Sequence, residues 1–138
     1  GDQPRPVLVA GRGDLPSEAQ IWDRDPIVIS ASERLLPSGE LIVVDGSSPP
    51  DPTTVCRLLA DRGLLHLLLE GGPTLAGAWW RAGVIGNGFV HIGARIGGGE
   101  GRTPMAGPFA TIADAEDVEV EAVRNVGGNV VVSFRKKI

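Results

Sequence analysis

One cysteine, Cys56, and two histidines, His66 and His91, are the only thiol and imidazole groups in this chain. A lone thiol excludes an internal disulfide, and so small a set excludes a structural zinc site of the usual Cys/His kind. Long apolar runs are also missing: nothing approaches the roughly 20 residues that a membrane-spanning helix needs. The opening Gly1-Asp2-Gln3-Pro4 lacks the basic and apolar regions of a secretory signal. Charge of one sign is not concentrated anywhere. The 13 Lys plus Arg stand against 17 Asp plus Glu, a formal net charge of -4, which argues against a nucleic-acid or anionic-membrane surface. These absences leave a small molecule or another protein as the expected partner, with no nucleic acid and no membrane. The expected location is cytoplasmic, where a single free thiol stays reduced.

What is present fits one domain over residues 1–138, since an apolar share of 42% is enough for a real core. The 20 glycines and 11 prolines fall between periodic segments and form no repeat, so they mark tight connections and not disorder. Residues 6–10 and 26–30 carry Val7-Leu8-Val9 and Ile27-Val28-Ile29 between turn residues, and residues 41–44 form a third β-branched run; all three predict strands. A helix follows. Asp51 suits the N-cap and Pro52 the first helical position, Val55, Leu58 and Leu59 recur at helical spacing, and Gly63 offers a left-handed stop.

Residues 64–69 are apolar everywhere except His66, the pattern of a strand buried on both faces of a parallel sheet. His66 is then expected as a hydrogen-bonded structural histidine inside that strand, and His91 as another of the same kind. A second helix is expected from about Thr74 to Ala82, with Leu75, Ala78, Trp79 and Ala82 on one face and Gly83 at its end. Of its two indoles, one is expected in the core and one at an edge or subunit contact. Residues 89–92 give the next strand. Strands and helices alternating through short joints predict right-handed crossovers and a mostly parallel sheet. The ending differs: residues 118–123 alternate, Gly127-Gly128-Asn129 turns, and residues 130–134 return, an antiparallel hairpin that makes the sheet mixed. Between them, residues 93–107 form a long glycine-rich loop, a length usually tied to function or mobility.

The segment richest in chemistry is Leu68-Leu69-Glu70-Gly71-Gly72-Pro73-Thr74-Leu75, where the expected strand gives way to a helix within a few residues. Free N–H groups of a helix's first turn, its dipole, and glycines without side chains suit such a junction to an anion. It is not the G-x-G-x-x-G fingerprint, and two glycines at a strand end also serve as a plain tight turn. The residues alone leave both readings open.

The string Glu-Gly-Gly-Pro-Thr-Leu after a leucine-rich strand resembles the reductase domain of the riboflavin-biosynthesis deaminase/reductases and their stand-alone pyrimidine reductase relatives. Pro4-Arg5-Pro6-Val7-Leu8-Val9 with Leu15-Pro16 agrees in order, as do residues 58–63, residues 97–104, Ala113-Asp114-Ala115 and the closing hairpin. The resemblance implies an α/β, dihydrofolate-reductase-like fold, a mostly parallel mixed sheet with flanking helices and a C-terminal antiparallel hairpin. It implies NADPH-dependent reduction of the ribosylamino group of a pyrimidine phosphate to ribitylamino. On that reading Gly71, Gly72, Pro73 and Thr74 contact the cofactor diphosphate. Glu70 lies near the substrate's ribosyl group as the catalytic residue, orienting a hydroxyl or assisting proton transfer; the plainer role is a cap on the helix start. For the extra phosphate of NADPH, Arg12 and Ser30, each just past a strand end, are the candidates, although an arginine in a glycine-rich turn is as often a plain solvated residue; Gly97 to Gly99 could add backbone N–H groups, but a flexible surface loop is the preferred reading there. The resemblance also implies a homodimer.

Three features depart from the family's pattern. Its N-terminal segment, with a Ser-x-Asp-Gly strand, an arginine-rich helix that reads the substrate phosphate and a Gly-x-x-Thr cofactor turn, is not among these residues. The usual Leu-Val-Asp-Glu helix exit reads Val84-Ile85-Gly86-Asn87-Gly88 here, and the proline expected after the next strand is Ala94. The chain is therefore expected to be a fragment, a proteolysed product, or one half of a domain completed by a separate N-terminal chain. The competing possibilities are a non-catalytic nucleotide-binding module and a reductase of another pterin-like heterocycle on the same fold.

Overall fold

The computed structural model describes residues 3–96, 105–107 and 112–137. The chain divides into two compact units, Gly1–His66 and Leu67–Ile138.

The first unit is built on three short parallel strands, β1 (Val7–Ala10), β2 (Ile27–Ser30) and β3 (Glu40–Val43), in the order β1-β2-β3. They lie where the β-branched runs predict strands. The central β2 is buried at every position, as a strand covered on both faces must be. Pairing of Leu8 with Val28 and of Val28 with Leu41 aligns these three on one face, where they pack with Ala10 and Trp22. Trp22 belongs to a short 3₁₀ turn, Gln20–Arg24, that no periodicity announces. Its indole Nε1 donates to the Pro16 carbonyl at 2.7 Å, which meets the polar atom that burial would otherwise strand. Gly39, just before β3, has a φ of +92°, and a Cβ there would sit 2.2 Å from the Pro26 oxygen. That same oxygen accepts from Glu40 N at 2.9 Å, so the first bond of the β2–β3 pairing needs a residue without a side chain.

Helix α1 (Pro52–Ala60) starts as its sequence predicts. The Asp51 carboxylate accepts from Thr54 N at 2.9 Å, Val55 and Leu59 are buried, and the chain leaves through Gly63 at φ +79°.

Residues 64–69 correct the sequence reading. They form no strand, and Leu65, Leu67 and Leu68 are 73%, 42% and 78% exposed. An apolar run encodes a preference for burial, but a strand exists only when a neighbour pairs its N–H and C=O groups. None among the described residues does so. His66 is consequently exposed, not a structural histidine of the core, and His91 is exposed on its strand as well.

The second unit contains α2 (Pro73–Arg81) and an antiparallel sheet of β4 (Asn87–Ile92), β5 (Val118–Val126) and β6 (Asn129–Lys136) in the order β4-β6-β5. β4 was expected among the parallel strands; it pairs antiparallel with β6. Gly88 faces Phe134 in that pairing, and a Cβ on Gly88 would lie 2.6 Å from the ring, so the missing side chain makes room for the aromatic. β5 and β6 are joined by Gly127-Gly128, with φ of +58° and +83°, the two-residue turn whose twist suits a hairpin. Parallel and antiparallel strands are thus both present, divided between two three-stranded sheets.

Both indoles of α2 are buried, Trp79 to 6% and Trp80 to 4% exposure, so neither is left at an edge. Trp80 meets Phe134 edge-on with ring centroids 6.2 Å apart, and Lys136 Nζ lies 4.7 Å from the Trp80 ring centre. A second tie runs to residues 105–107. Ala106 N donates to the Pro73 carbonyl at 2.9 Å and Arg81 Nη1 donates to the Ala106 carbonyl at 3.0 Å. A Cβ on Gly77 would fall 1.8 Å from that carbonyl oxygen, so α2 accepts this segment only because position 77 has no side chain.

Phe134 is the buried ring through which β6 packs on α2. Truncating Phe134 to alanine should lower the free energy of unfolding by about 3–5 kcal/mol, measured by urea denaturation; an unchanged midpoint would show that this contact carries no stability.

Candidate functional site

The approach to α2 leaves donors open. Gly72 is the N-cap, with φ -68° and ψ 176°, and makes no side-chain capping bond. Pro73 has no N–H to give, and Ala76 N, bonded to Gly72 O at 3.0 Å, is the donor of the first intrahelical bond. The amides of Thr74 and Leu75 therefore have no acceptor within the helix, and none among the described residues. At α1 the corresponding donor is met by Asp51, whose carboxylate bonds Thr54 through both N and Oγ1. α2 carries no acidic residue in its first turn, so no side chain of the helix itself offsets the positive end of its dipole.

The two glycines differ. A Cβ on Gly71 would lie 2.4 Å from Leu75 Cδ2 and 2.9 Å from Leu75 Cβ, whereas a Cβ on Gly72 would meet nothing within 4 Å. Gly71 is therefore required by the helix itself, while Gly72 keeps open the space in front of the free amides. Thr74 is exposed and Pro73 half-buried. Glu70 is exposed and its carboxylate has no partner among the described residues. It does not cap α2, so the plainer role weighed for it is not the one it plays here.

In the first unit Arg12 and Ser30 lie just past β1 and at the last residue of β2. Arg12 is exposed and without a partner among the described residues. Ser30 is 1% exposed, and its hydroxyl oxygen accepts from Ser32 N at 3.2 Å and from Arg34 Nε at 3.0 Å. Arg34 was not singled out from the sequence. Its Nη1 donates to the Gly13 carbonyl at 2.7 Å and its Nη2 to the Gly11 carbonyl, so one guanidinium fastens the Gly11-Arg12-Gly13 turn to the end of β2. No periodicity marks an arginine in a loop; the only signal was its place four residues after a strand-terminal serine. Gly97 to Gly99 lie outside the described residues. Cys56 is no activated nucleophile: desolvation first, and the Asp51 charge second, push its thiol above the ordinary value, which depletes the thiolate.

The arrangement at α2 can hold a small anion against backbone N–H groups beside a free carboxylate. Comparison with known proteins bears on the family of the chain. A family model described as the RibD C-terminal domain matches residues 1–131. A riboflavin biosynthesis protein RibD of Chlamydia muridarum is 26% identical over 96% of the chain and 38% of its own length. A 2,5-diamino-6-ribosylamino-4(3H)-pyrimidinone 5′-phosphate reductase of Methanothermobacter thermautotrophicus is 30% identical over 99% of the chain and 68% of its own length. Among solved structures, RibD of Acinetobacter baumannii superposes with a TM-score of 0.82 at 18% identity, covering 97% of this chain and 38% of that one; this likeness concerns the fold. The chain thus spans 38% of the length of the RibD protein from Chlamydia muridarum.

Valine substitutions at the two glycines should separate their roles. The backbone angles of Gly72 suit any residue, so Gly72→Val should lose only what a poorer N-cap costs, whereas Gly71→Val should melt several degrees lower still, by roughly 3–5 °C per kcal/mol lost in a domain of this size. Equal loss in both would mean that Gly72 is needed by the fold and not kept for a ligand.

Proposed function

The chain belongs to the RibD C-terminal domain family, and on that premise we propose that it forms part of an NADPH-dependent reductase of riboflavin biosynthesis, converting the ribosylamino group of a pyrimidine phosphate to ribitylamino. The observation that carries this reading is the uncapped start of α2 in the Glu70-Gly71-Gly72-Pro73-Thr74 segment, with the amides of Thr74 and Leu75 free and the space at Gly72 open. A dinucleotide diphosphate is an anion of the size and charge that such a helix start holds. Gly71, Gly72, Pro73 and Thr74 are the residues that would line it. NADPH, when bound, supplies the hydride. The protein's part is to hold the reactants in near-contact, where a misplacement of about 1 Å can cost on the order of a hundredfold in rate.

Glu70 is the catalytic residue on this reading. It adjoins the glycine pair, is exposed, and has no protein partner among the described residues. A carboxylate so placed orients a sugar hydroxyl or accepts its proton as the ribose ring opens. Arg12, exposed and unpaired among the described residues, supplies positive charge for the phosphate that distinguishes NADPH from NADH. Assembly as a homodimer belongs to the same reading. β5 is an edge strand whose Val120, Val123 and Val126 are 55%, 64% and 56% exposed, an apolar edge of the sort that a second copy covers.

Calorimetric titration should show NADPH binding at least about tenfold more tightly than NADH, a difference of about 1.4 kcal/mol, and Gly72→Val should weaken both; equal affinities would contradict the cofactor assignment. In turnover with a ribosylaminopyrimidine phosphate by the reductase that also carries the family's N-terminal segment, in cis or as a second chain, Glu70→Gln should leave NADPH affinity within about twofold and lower kcat by roughly a hundredfold, within the range for a lost general acid or base. Wild-type turnover in that variant would make the carboxylate structural. Sedimentation at micromolar concentration should give the mass of two chains, and a monomeric mass would contradict the dimer.

A further inference from the structure

Arg34 is engaged through all three of its guanidinium nitrogens, with Ser30 Oγ, the Gly13 carbonyl and the Gly11 carbonyl as acceptors. No carboxylate pairs with it among the described residues. A half-buried positive charge met only by neutral oxygens is costly unless a further anion shares it. The turn that it holds is unusual too. A Cβ on Gly11 or on Gly13 would meet nothing within 4 Å, and neither glycine has a left-handed φ. The fold therefore does not require glycine at either place, and a flexible Gly-Arg-Gly turn costs more entropy to order than an ordinary one.

Peptide geometry supplies the remaining step. In a trans peptide the C=O and the following N–H point in opposite directions, and the peptides after Gly11 and Gly13 are trans. By drawing both carbonyls inward, Arg34 turns the amides of Arg12 and Asp14 outward. Neither amide has an acceptor among the described residues. The outcome, past the carboxyl ends of two parallel strands where α/β sheets commonly bind ligands, is two outward N–H groups, the free Arg12 side chain and the unshared charge of Arg34.

We propose that Arg34 is a positioning residue which sets the Gly11-Arg12-Gly13 turn for an anionic group, the adenosine 2′-phosphate of the cofactor. This rests on the reading of the cofactor as NADPH and deepens it. Ser30 then acts from beneath, as the acceptor that orients Arg34, and does not touch the phosphate. Arg12 and the amides of Arg12 and Asp14 make the contact.

The test is a titration of the protein with 2′,5′-ADP, 5′-AMP, NADPH and NADH, following backbone amide shifts by NMR. In the wild type the Arg12 and Asp14 amides should move with 2′,5′-ADP and NADPH and stay still with 5′-AMP and NADH. Arg34→Lys keeps the charge but cannot reach three acceptors, so the ratio of NADPH to NADH affinity should fall about tenfold in it, the scale of one charge-assisted hydrogen bond. A merely structural loss would weaken both nucleotides alike and leave the ratio unchanged. An unchanged ratio in a folded Arg34→Lys protein overturns the proposal. Should that variant not fold, the wild-type shifts decide: Thr74 and Leu75 amides moving with NADPH while Arg12 and Asp14 do not would overturn the role of Arg34 and leave the reductase reading standing. Shifts at neither place would overturn the cofactor assignment, and the inference with it.

Discussion

An α-helix begins with N–H groups that nothing inside it can accept, and the ways in which this chain meets that constraint organise what it can do. At α1 the Asp51 carboxylate takes the Thr54 amide and hydroxyl, and the helix is a closed structural piece. At α2 the N-cap is a glycine, the next residue is a proline without an N–H, and the Thr74 and Leu75 amides face outward with no acceptor among the described residues. Uncapped donors and a dipole that no side chain of the helix itself offsets lower the stability of the helix. α2 is held instead from its other side, by burial of Trp79 and Trp80, by Phe134 against Trp80, and by Ala106 seated over Gly77. Packing at the far face lets the near end stay unsatisfied, and an unsatisfied end is what an anion needs.

The same economy of donors recurs in the first unit. Arg34 does not offer its guanidinium to solvent; it spends three donors on the protein and thereby turns the amides of the Gly11-Arg12-Gly13 turn outward. In both places backbone amides are left available to a ligand, groups that do not titrate and whose direction is set by packing. Arg12 and Glu70 add a free side chain of each sign, both exposed and without a partner among the described residues.

Much of this was legible in the sequence where a signal is local. Asp51, Pro52 and Gly63 bracket α1, the glycine pair at 127 and 128 makes the hairpin turn, and each β-branched run of the first unit became a strand. Glu-Gly-Gly-Pro-Thr marked the start of α2 together with the family. What failed depended on partners that composition cannot name. The leucine-rich residues 64–69 ask for burial, yet no neighbour among the described residues pairs with them, and His66 went with them to the surface. Residues 89–92 were recognised as a strand but not for their partner, because the reason lies in a glycine that must face Phe134. Ser30 was found as a strand-end hydroxyl; that it serves Arg34 from a buried position required the hydrogen bonds themselves.

On the function proposed above, the first-turn amides of α2 are held free for a cofactor diphosphate. Hydrogen exchange at Thr74 and Leu75 tests it most directly. With saturating NADPH both amides should exchange at least about tenfold more slowly than in the free protein, as N–H groups do once an acceptor closes on them. Exchange at Thr74 and Leu75 that is unaffected by saturating NADPH would contradict the account.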